Sequence, residues 1–331
     1  MQTIVISRTD NVISALLSMG VVRDIKRQWP DCKLYFVVPL GGKFLLDYFP
    51  EIEGVMDVRN VGKSIENIQA DAILFLHKDK MVAKAAKKAG IALRIAEKGS
   101  LLEKRYYNQT VVLPEGVKGV TARAEALVSV GLEIEQEEVG DQEFPKITLP
   151  QTPPMVYRGV IKKSLINVVM YPYKEGAERI WPVVNYFELI ERLPKHIFNF
   201  VVVGTEKEGQ LLKQYTPELF RLPSVKDKTG LEEEEEILKL VNRGDIFLSF
   251  NQVYTHLSVA AGIETVMMTP PVESRQFAPP NNTSVNILSS GETECIDCTK
   301  KKGCTCIKQI EIAAVEEVLL EYARKKGMLE E

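Results

Sequence analysis

The sequence has little of what marks several broad classes of protein. It contains five cysteines, three histidines and two tryptophans among 331 residues. Five cysteines in a chain of this length do not make the disulfide scaffold of a small secreted domain. The formal net charge is −3, so the composition gives no indication of nucleic-acid binding. No apolar run approaches the length of a membrane span.

What remains is the composition of a soluble globular protein, with 45% hydrophobic and 26% charged residues. The length is sufficient for two domains of ordinary size. The opening residues, Met-Gln-Thr-Ile-Val-Ile-Ser-Arg, lack the basic segment, apolar core and cleavage site of a signal peptide. We therefore expect a cytoplasmic protein that begins with a β-strand.

Short apolar runs alternate with amphipathic segments along the whole chain. Apolar runs predict strands at 3–6, 34–38, 55–58, 72–76, 93–96, 166–170, 198–203, 246–250 and 265–268. Helical spacing of apolar residues predicts helices at 11–29, 80–89, 122–130, 183–193, 206–215 and 313–326. A further helix is predicted to start in the glutamate run 232–236, where negative charge favours a helix N-terminus.

This alternation favours parallel sheets covered by helices. Four prolines in the segment 144–154 predict an extended linker. We expect a Rossmann-like domain at 1–150, a second at 160–310 and a C-terminal helix at 311–331. Because open parallel sheets bind ligands at the carboxyl ends of their strands, the expected site lies in a cleft between the domains.

The segment 242–262 predicts a strand, a polar turn and a helix. The turn spans 251–255, the helix starts at His256, and Gly262 ends it. A helix N-terminus that leaves such a turn presents free N–H groups, which suits a phosphate. The alternative is an ordinary strand–helix joint with a histidine facing the core.

The same segment resembles the donor loop of the heptosyltransferases of glycosyltransferase family nine. There, an Asp-Ser/Thr-Gly-x-x-His-Leu-Ala-Ala-Ala-x-Gly run binds the diphosphate of a nucleotide-activated sugar. This chain keeps four of those residues, namely His256, Leu257, Ala260 and Gly262. It has Asn251, Gln252 and Val253 where the family has Asp, Ser/Thr and Gly.

Weaker matches follow in the family's order over nearly the whole chain. They comprise the opening strand, the segment 21–26, Trp29-Pro30-Asp31, the segment 49–52, Arg179-Ile180-Trp181-Pro182, the segment 201–208 and the tail 285–318. The resemblance implies the two-domain GT-B fold and an inverting glycosyltransferase. It implies transfer of heptose from ADP-heptose to a lipopolysaccharide-core or related glycan, with peripheral contact at the inner membrane face.

The resemblance also implies residue roles. Arg179 would be the cation that stabilises the departing diphosphate, without a nucleotide-bound metal. Glu208 would accept hydrogen bonds from the ribose or sugar hydroxyls of the donor. His256 and the turn residues Asn251, Gln252 and Val253 would hold the diphosphate.

The general base is less clearly matched. The family's catalytic Asp aligns without gaps with Ser14, and a serine hydroxyl is a poor base near neutral pH. Asp10 lies four residues earlier and could serve instead; its alternative role is a helix N-cap. The second functional hypothesis is therefore a catalytically impaired relative that acts as a binding or assembly protein. A nucleotide-sugar epimerase is a third, but we identify no acidic catalytic residues in both halves.

Two further clusters remain. Lys98, Lys104 and Arg105 lie in a basic, aromatic segment that is either an acceptor-binding clamp or a solvated loop. Four cysteines lie within twelve residues, Cys295, Cys298, Cys304 and Cys306. Four thiolates suit zinc or iron, and free thiols or a disulfide are the alternatives.

Overall fold

The computed structural model describes residues 1–100, 103, 105–134, 146–151, 153, 157–177, 179–231, 233–278, 284–290 and 305–330. They divide into two compact units. The first is Met1–Ile147, and the second begins at Thr148. Part of the predicted linker 144–154 lies outside the described residues.

The first unit is built on a parallel sheet of six strands in the order β3-β2-β1-β4-β5-β6. Its strands are β1 (Thr3–Ser7), β2 (Lys33–Val38), β3 (Gly54–Asp57), β4 (Ala72–Phe75), β5 (Leu93–Glu97) and β6 (Gln109–Val111). The two central strands are almost wholly apolar and buried, as expected for a parallel sheet covered on both faces.

The helices of this unit lie between its strands and after the last one. They are α1 (Val12–Leu17), α2 (Gly20–Gln28), α3 (Val61–Ile68), α4 (Lys80–Lys88) and α5 (Val120–Leu132). Short 3₁₀ helices occupy Lys43–Tyr48 and Val58–Asn60. The apolar sides of α3 and α4 pack on the sheet, where Ile65, Val82 and Ala86 are fully buried.

The second unit repeats this arrangement with the strand order β12-β11-β10-β7-β8-β9. Its strands are β7 (Ile166–Tyr171), β8 (Phe198–Gly204), β9 (Val225–Thr229), β10 (Ile246–Phe250), β11 (Glu264–Met268) and β12 (Val285–Leu288). Strands β7, β8 and β10 are buried along their whole length.

Six described helices belong to this unit. They are α6 (Val183–Arg192), α7 (Glu206–Tyr215), α8 (Glu234–Val241), α9 (Val253–Ala260), α10 (Pro271–Phe277) and α11 (Ile312–Lys325). Short 3₁₀ helices occupy Leu219–Arg221 and Cys306–Gln309. Three glutamates in the first turn of α8 confirm that the described part of the glutamate run starts a helix.

Each sheet reverses its strand order at one point, between β1 and β4 in the first unit and between β7 and β10 in the second. Chain segments that leave the carboxyl ends of such neighbouring strands diverge, and ligands of open α/β sheets bind there. Asp10 follows β1, and Asn251 follows β10. The fold therefore places one group of predicted site residues at the reversal point of each sheet.

The prediction of one helix over 11–29 is wrong, because the chain forms α1 and α2 with a break between them. The Ser18 hydroxyl donates to the Ser14 carbonyl at 2.8 Å. The Thr121 hydroxyl of α5 donates to the Leu17 carbonyl at 3.3 Å. These bonds satisfy carbonyl groups at the end of α1, so the helix can stop there without a buried unpaired acceptor.

A network of polar side chains ties together the amino ends of three strands in the second unit. The Asn167 amide donates to Asp245 Oδ2 at 3.0 Å and to the Lys162 carbonyl at 3.0 Å. Its oxygen accepts from the Lys162 N–H at 2.8 Å and from the Asn199 amide at 3.0 Å. Asn167 and Asn199 are buried, so these bonds replace water for groups that would otherwise be desolvated and unpaired.

We expect Asn167→Ala to lower the free energy of unfolding of the second unit by about 3 kcal/mol, because it leaves several buried polar groups unpaired. Urea unfolding followed by Trp181 fluorescence in a Trp29→Phe background measures this, since Trp181 is fully buried in that unit. Asn185→Ala on α6 is the control and should shift the free energy by less than about 0.5 kcal/mol. Equal stability of the two variants would show that the network contributes little.

Candidate functional site

The helix after β10 begins three residues earlier than its sequence predicts, at Val253 instead of His256. No side chain caps this start. The Gln252 amide turns back to donate to the Ser249 hydroxyl at 2.8 Å. Gly262, with φ +73°, follows the helix, so the predicted stop is confirmed. An uncapped N-terminus with no acidic residue in its first turn leaves backbone dipoles directed at the turn, which suits an anion.

His256 lies inside this helix and is fully buried. Its Nε2 donates to Asn251 Oδ1 at 2.7 Å, since an amide oxygen can only accept. Its Nδ1 has no partner among the described residues. Burial lowers the pKa of His256 to about 3, which keeps the ring neutral at ordinary pH. The imidazole is thus placed to orient Asn251.

Asn251 connects this histidine to two further side chains. Its Nδ2 donates to Glu273 Oε2 at 3.0 Å. The other oxygen of Glu273 accepts from Arg179 Nη1 at 2.6 Å. His256, Asn251, Glu273 and Arg179 therefore form one hydrogen-bonded series, which brings together three of the predicted donor-binding residues.

The sequence pattern alone does not mark Glu273 as a site residue. It lies in the first turn of α10, after Pro270 and Pro271. A proline pair followed two residues later by an acid is an ordinary helix start, so the sequence offers only that weak signal. Its contact with Arg179 joins residues 94 positions apart.

Arg179 precedes a firmly packed anchor. Trp181 is fully buried, and its indole N–H donates to the Ile310 carbonyl at 2.9 Å. Its ring packs edge-on against Tyr186 with centroids 5.0 Å apart. Trp181 thus fixes the chain two residues after Arg179.

Glu208 lies in the first turn of α7 and is buried. Its Oε2 accepts from the Tyr171 hydroxyl at 2.7 Å and from the Thr205 N–H at 2.9 Å, and its Oε1 from the Glu175 N–H at 3.3 Å. Together with Thr205 it forms the capping box of α7. Burial, and then Glu208, raise the pKa of Tyr171, which stays a hydrogen-bond donor. Glu206, at the start of the same helix, is exposed.

In the first unit, Asp10 is not the helix cap, so that interpretation is wrong. Asn11 is the cap, and its side chain accepts from the Ser14 N–H at 2.8 Å. Asp10 forms a paired contact with the buried Arg8 guanidinium, at 2.9 Å from Nε and 3.2 Å from Nη2. The Asp10 side chain is 25% exposed, whereas Ser14 is fully buried. Of the two candidate bases, only Asp10 presents its side chain to solvent.

The predicted acceptor-binding residues that the structure describes, Lys98 and Arg105, are both exposed. The Arg105 guanidinium lies over the Tyr106 ring, 4.8 Å from its centroid. Lys104 lies outside the described residues. Exposure fits a clamp and a solvated loop equally well.

Of the four clustered cysteines, only Cys306 is among the described residues; Cys295, Cys298 and Cys304 lie outside them. Cys306 is buried and disulfide-bonded. In the described part of the chain, no three His, Cys, Asp or Glu side chains are arranged to hold a metal ion. The suggestion of zinc or iron thus has no support there. None of the described helices is long and apolar enough to cross a lipid bilayer.

The buried neutral state of His256 predicts a dependence of stability on pH. Its pKa in the folded state lies below that of an unfolded histidine, about 6.5, so the unfolded chain takes up a proton first as pH falls. Between pH 7 and pH 5 this costs about 2 kcal/mol of folding free energy. We expect His256→Gln to lose that part of the decline in urea unfolding at the two pH values. His196→Gln, at an exposed position of the same unit, should retain it; an unchanged decline in His256→Gln would contradict the assignment.

Comparison with known proteins supports the architecture. No family model matches the sequence, and no curated protein matches it. ADP-heptose lipopolysaccharide heptosyltransferase II of E. coli matches in structure with a TM-score of 0.72, covering 99% of this chain and 100% of that one at 16% identity. A family 9 glycosyl transferase from Veillonella parvula matches with a TM-score of 0.74, covering 98% and 96% at 13% identity.

A third similar structure is the E. coli heptosyltransferase WaaC with ADP-2-deoxy-2-fluoro heptose. It matches with a TM-score of 0.68, covering 97% of this chain and 100% of that one at 13% identity. All three likenesses extend over nearly the whole chain, and the predicted GT-B fold class is confirmed. The protein has the fold of the heptosyltransferases and of glycosyltransferase family 9.

Proposed function

We propose that this protein is an inverting glycosyltransferase that moves a sugar from a nucleotide-diphosphate donor, ADP-heptose in the first instance, to a glycan of the lipopolysaccharide core or a related acceptor. One observation carries the proposal. Arg179, Asn251 and the uncapped start of α9 meet at the carboxyl end of β10, in a fold that a heptosyltransferase solved with an ADP-sugar analogue shares.

On the donor side, the start of α9 and the Asn251 amide would donate hydrogen bonds to the diphosphate. Arg179 would add a guanidinium, which can grip a phosphate through two parallel hydrogen bonds. His256 would not contact the diphosphate itself; its buried N–H would fix the orientation of the Asn251 amide. Gln252 and Val253 would shape the turn.

The hydroxyl groups of the nucleotide sugar need a protein group that accepts their hydrogen bonds. Glu208 remains the candidate that the family resemblance implies, although its oxygens already accept three hydrogen bonds. The exposed Glu206, two residues earlier, is the alternative. Its carboxylate approaches Gly230 so closely that a Cβ there would lie 3.0 Å from Oε2.

In the reaction, a base removes the proton of the acceptor hydroxyl as its oxygen attacks the anomeric carbon. The bond from that carbon to the diphosphate oxygen breaks on the opposite face, and the electron pair leaves with the nucleoside diphosphate. Negative charge develops on the departing diphosphate. Hydrogen-bond donors that are already in position stabilise this charge without reorganising. Asp10 is the proposed base, with Arg8 holding its carboxylate in place.

On the acceptor side, we propose that Lys98, Lys104 and Arg105 bind anionic groups of the glycan. An acceptor anchored in lipid would bring the cytoplasmic protein to the inner membrane face. Cys295, Cys298, Cys304 and Cys306 have no part in the chemistry proposed here.

The second candidate is a catalytically impaired relative that binds its ligand or another protein. Two observations favour it. The Asp10 carboxylate is already paired with Arg8, and the turn before α9 has Asn-Gln-Val where the resembled family has an Asp and a Gly. Donor hydrolysis and sugar transfer, measured beside donor binding, separate the two candidates.

We expect the wild-type protein to bind ADP, and Arg179→Ala to bind it roughly 10- to 100-fold more weakly, because a charge-assisted phosphate contact is lost. Isothermal titration calorimetry with ADP, UDP and GDP measures this. Arg192→Ala is the control, since Arg192 pairs with Glu316 on α11, 3.7 Å away, in the same unit. ADP affinity that is the same in the wild type and in Arg179→Ala would contradict the assignment of Arg179 to the donor site.

If Asp10 is the base, Asp10→Asn should lower the turnover of sugar transfer about 100-fold or more while leaving the dissociation constant for ADP unchanged. Ser14→Ala is the comparison, because its hydroxyl is fully buried and should not reach an acceptor. Turnover that falls in Ser14→Ala and not in Asp10→Asn would move the base to the position where the resembled family has it.

A further inference from the structure

One carboxylate bridges the two side chains that are assigned to the diphosphate. Glu273 Oε1 accepts from Arg179 Nη1 at 2.6 Å, and Glu273 Oε2 accepts from Asn251 Nδ2 at 3.0 Å. Both oxygens of a single anion thus occupy donors that a phosphate would need. The Glu273 and Arg179 side chains are 16% and 24% exposed, so their contact is shielded but reachable from solvent.

The position of this carboxylate is stabilised without a ligand. Glu273 lies in the first turn of α10, where the helix dipole favours a negative charge. It is not the cap of that helix, so its side chain is free of the role that Glu208 has in α7. A carboxylate held in this way can turn aside while α10 stays folded.

We propose that Glu273 is a built-in competitor of the donor: in the free protein it occupies the anion position on Arg179 and Asn251 and gives way when a diphosphate binds. The inference rests on the proposed function, since it assumes that these two side chains receive the diphosphate. It assigns Glu273 a positioning and regulatory role, because the residue acts through Arg179 and Asn251.

Electrostatics sets the direction of the effect. A diphosphate on the same two donors would bring several negative charges within a few ångströms of the carboxylate, and like charges at such a distance repel. Donor affinity is therefore lower than Arg179 and Asn251 alone would give. The same repulsion favours release of the nucleoside diphosphate that remains after sugar transfer.

The buried histidine limits what must move during this exchange. Asn251 Oδ1 stays bound to the His256 N–H, so the amide cannot rotate and its Nδ2 keeps facing the anion position. For the Asn251 amide nitrogen, the contact that has to break is the one to Glu273. The Asn251 amide is thus already oriented when the diphosphate arrives, which lowers the entropic cost of ordering it on binding.

The test compares full-length wild-type protein with Glu273→Gln and Glu273→Asp by calorimetry, with ADP and with adenosine as probes. Glutamine keeps the size of the side chain and removes its charge, so we expect ADP affinity to rise about tenfold and adenosine affinity to stay unchanged. Aspartate keeps the charge and should stay near the wild-type value for ADP. A merely structural role for Glu273 would weaken binding in both variants and would not distinguish a charged probe from a neutral one.

Glu264→Gln is the matched control. Like Glu273, Glu264 accepts a hydrogen bond from an asparagine amide, that of Asn286, at 2.7 Å. Glu264 lies at the start of β11, however, whereas Glu273 follows the carboxyl end of that strand. It should leave ADP affinity unchanged. Should Glu273→Gln unfold, Glu273→Ala removes the same charge and should likewise raise ADP affinity.

The outcomes separate the two proposals. If ADP binds the wild-type protein and Arg179→Ala weakens it, but Glu273→Gln binds ADP equally or less tightly, the donor site stands and the competitor role is overturned. If neither the wild-type protein nor any Glu273 variant binds ADP, both proposals fall. Binding that appears only in Glu273→Gln or Glu273→Ala supports both.

Discussion

The hydrogen bond between the buried His256 ring and the Asn251 side chain is the constraint on which the candidate donor site depends. His256 is fully buried and stays neutral, and its one N–H is directed at Asn251. Because this N–H can only donate, it selects one orientation of the asparagine, with the oxygen toward the ring and the amide nitrogen toward Glu273 on α10. Under the proposed function, this core histidine is also the residue that orients a phosphate-binding amide.

Both units have a shielded ion pair near the carboxyl ends of their strands. In the first unit both partners follow β1, whereas in the second Arg179 follows β7 and Glu273 follows β11. Arg8 with Asp10 and Arg179 with Glu273 are both pairs of opposite charge in shielded surroundings. Such pairs are weak contributors to net stability, because desolvation offsets their attraction. Their placement at the ends of β1 and beside β10 is better explained by orientation of charged groups than by stability.

The sequence predicts the elements whose physics is local. Strands β7, β8 and β10 are mostly apolar and are buried along their whole length, as strands covered on both faces are expected to be. Edge strands do not require an apolar run. In the edge strand β9, Val-Lys-Asp-Lys-Thr, four of the five residues are at least partly exposed, so the sequence has no apolar run there and predicts no strand. The sequence also does not predict the break between α1 and α2, where one of the hydrogen bonds comes from the Thr121 hydroxyl of α5, more than a hundred residues away.

The site divides along the same line. His256, Asn251 and Arg179 follow from a family resemblance, and the structure brings them together. Glu273 could not be predicted, because an acid in the first turn of a helix is common and its meaning comes from a tertiary contact. The case of Glu208 is the reverse: the position is predicted, but the carboxylate already accepts from a buried tyrosine and two backbone N–H groups, which a sequence cannot reveal.

An anion site needs positive charge only while its ligand is present. A guanidinium without a counter-ion beside an uncapped helix start would attract any phosphate in the cell, because uncompensated positive charge favours non-specific binding of anions. A carboxylate that neutralises Arg179 in the free protein removes that field, and a ligand must then offer enough other contacts to displace it. A diphosphate that also carries a nucleoside and a sugar can do so, whereas inorganic phosphate has no such contacts. In this arrangement Glu273 would contribute to specificity by weakening every anion equally, so that only the ligand with the most additional binding energy remains bound.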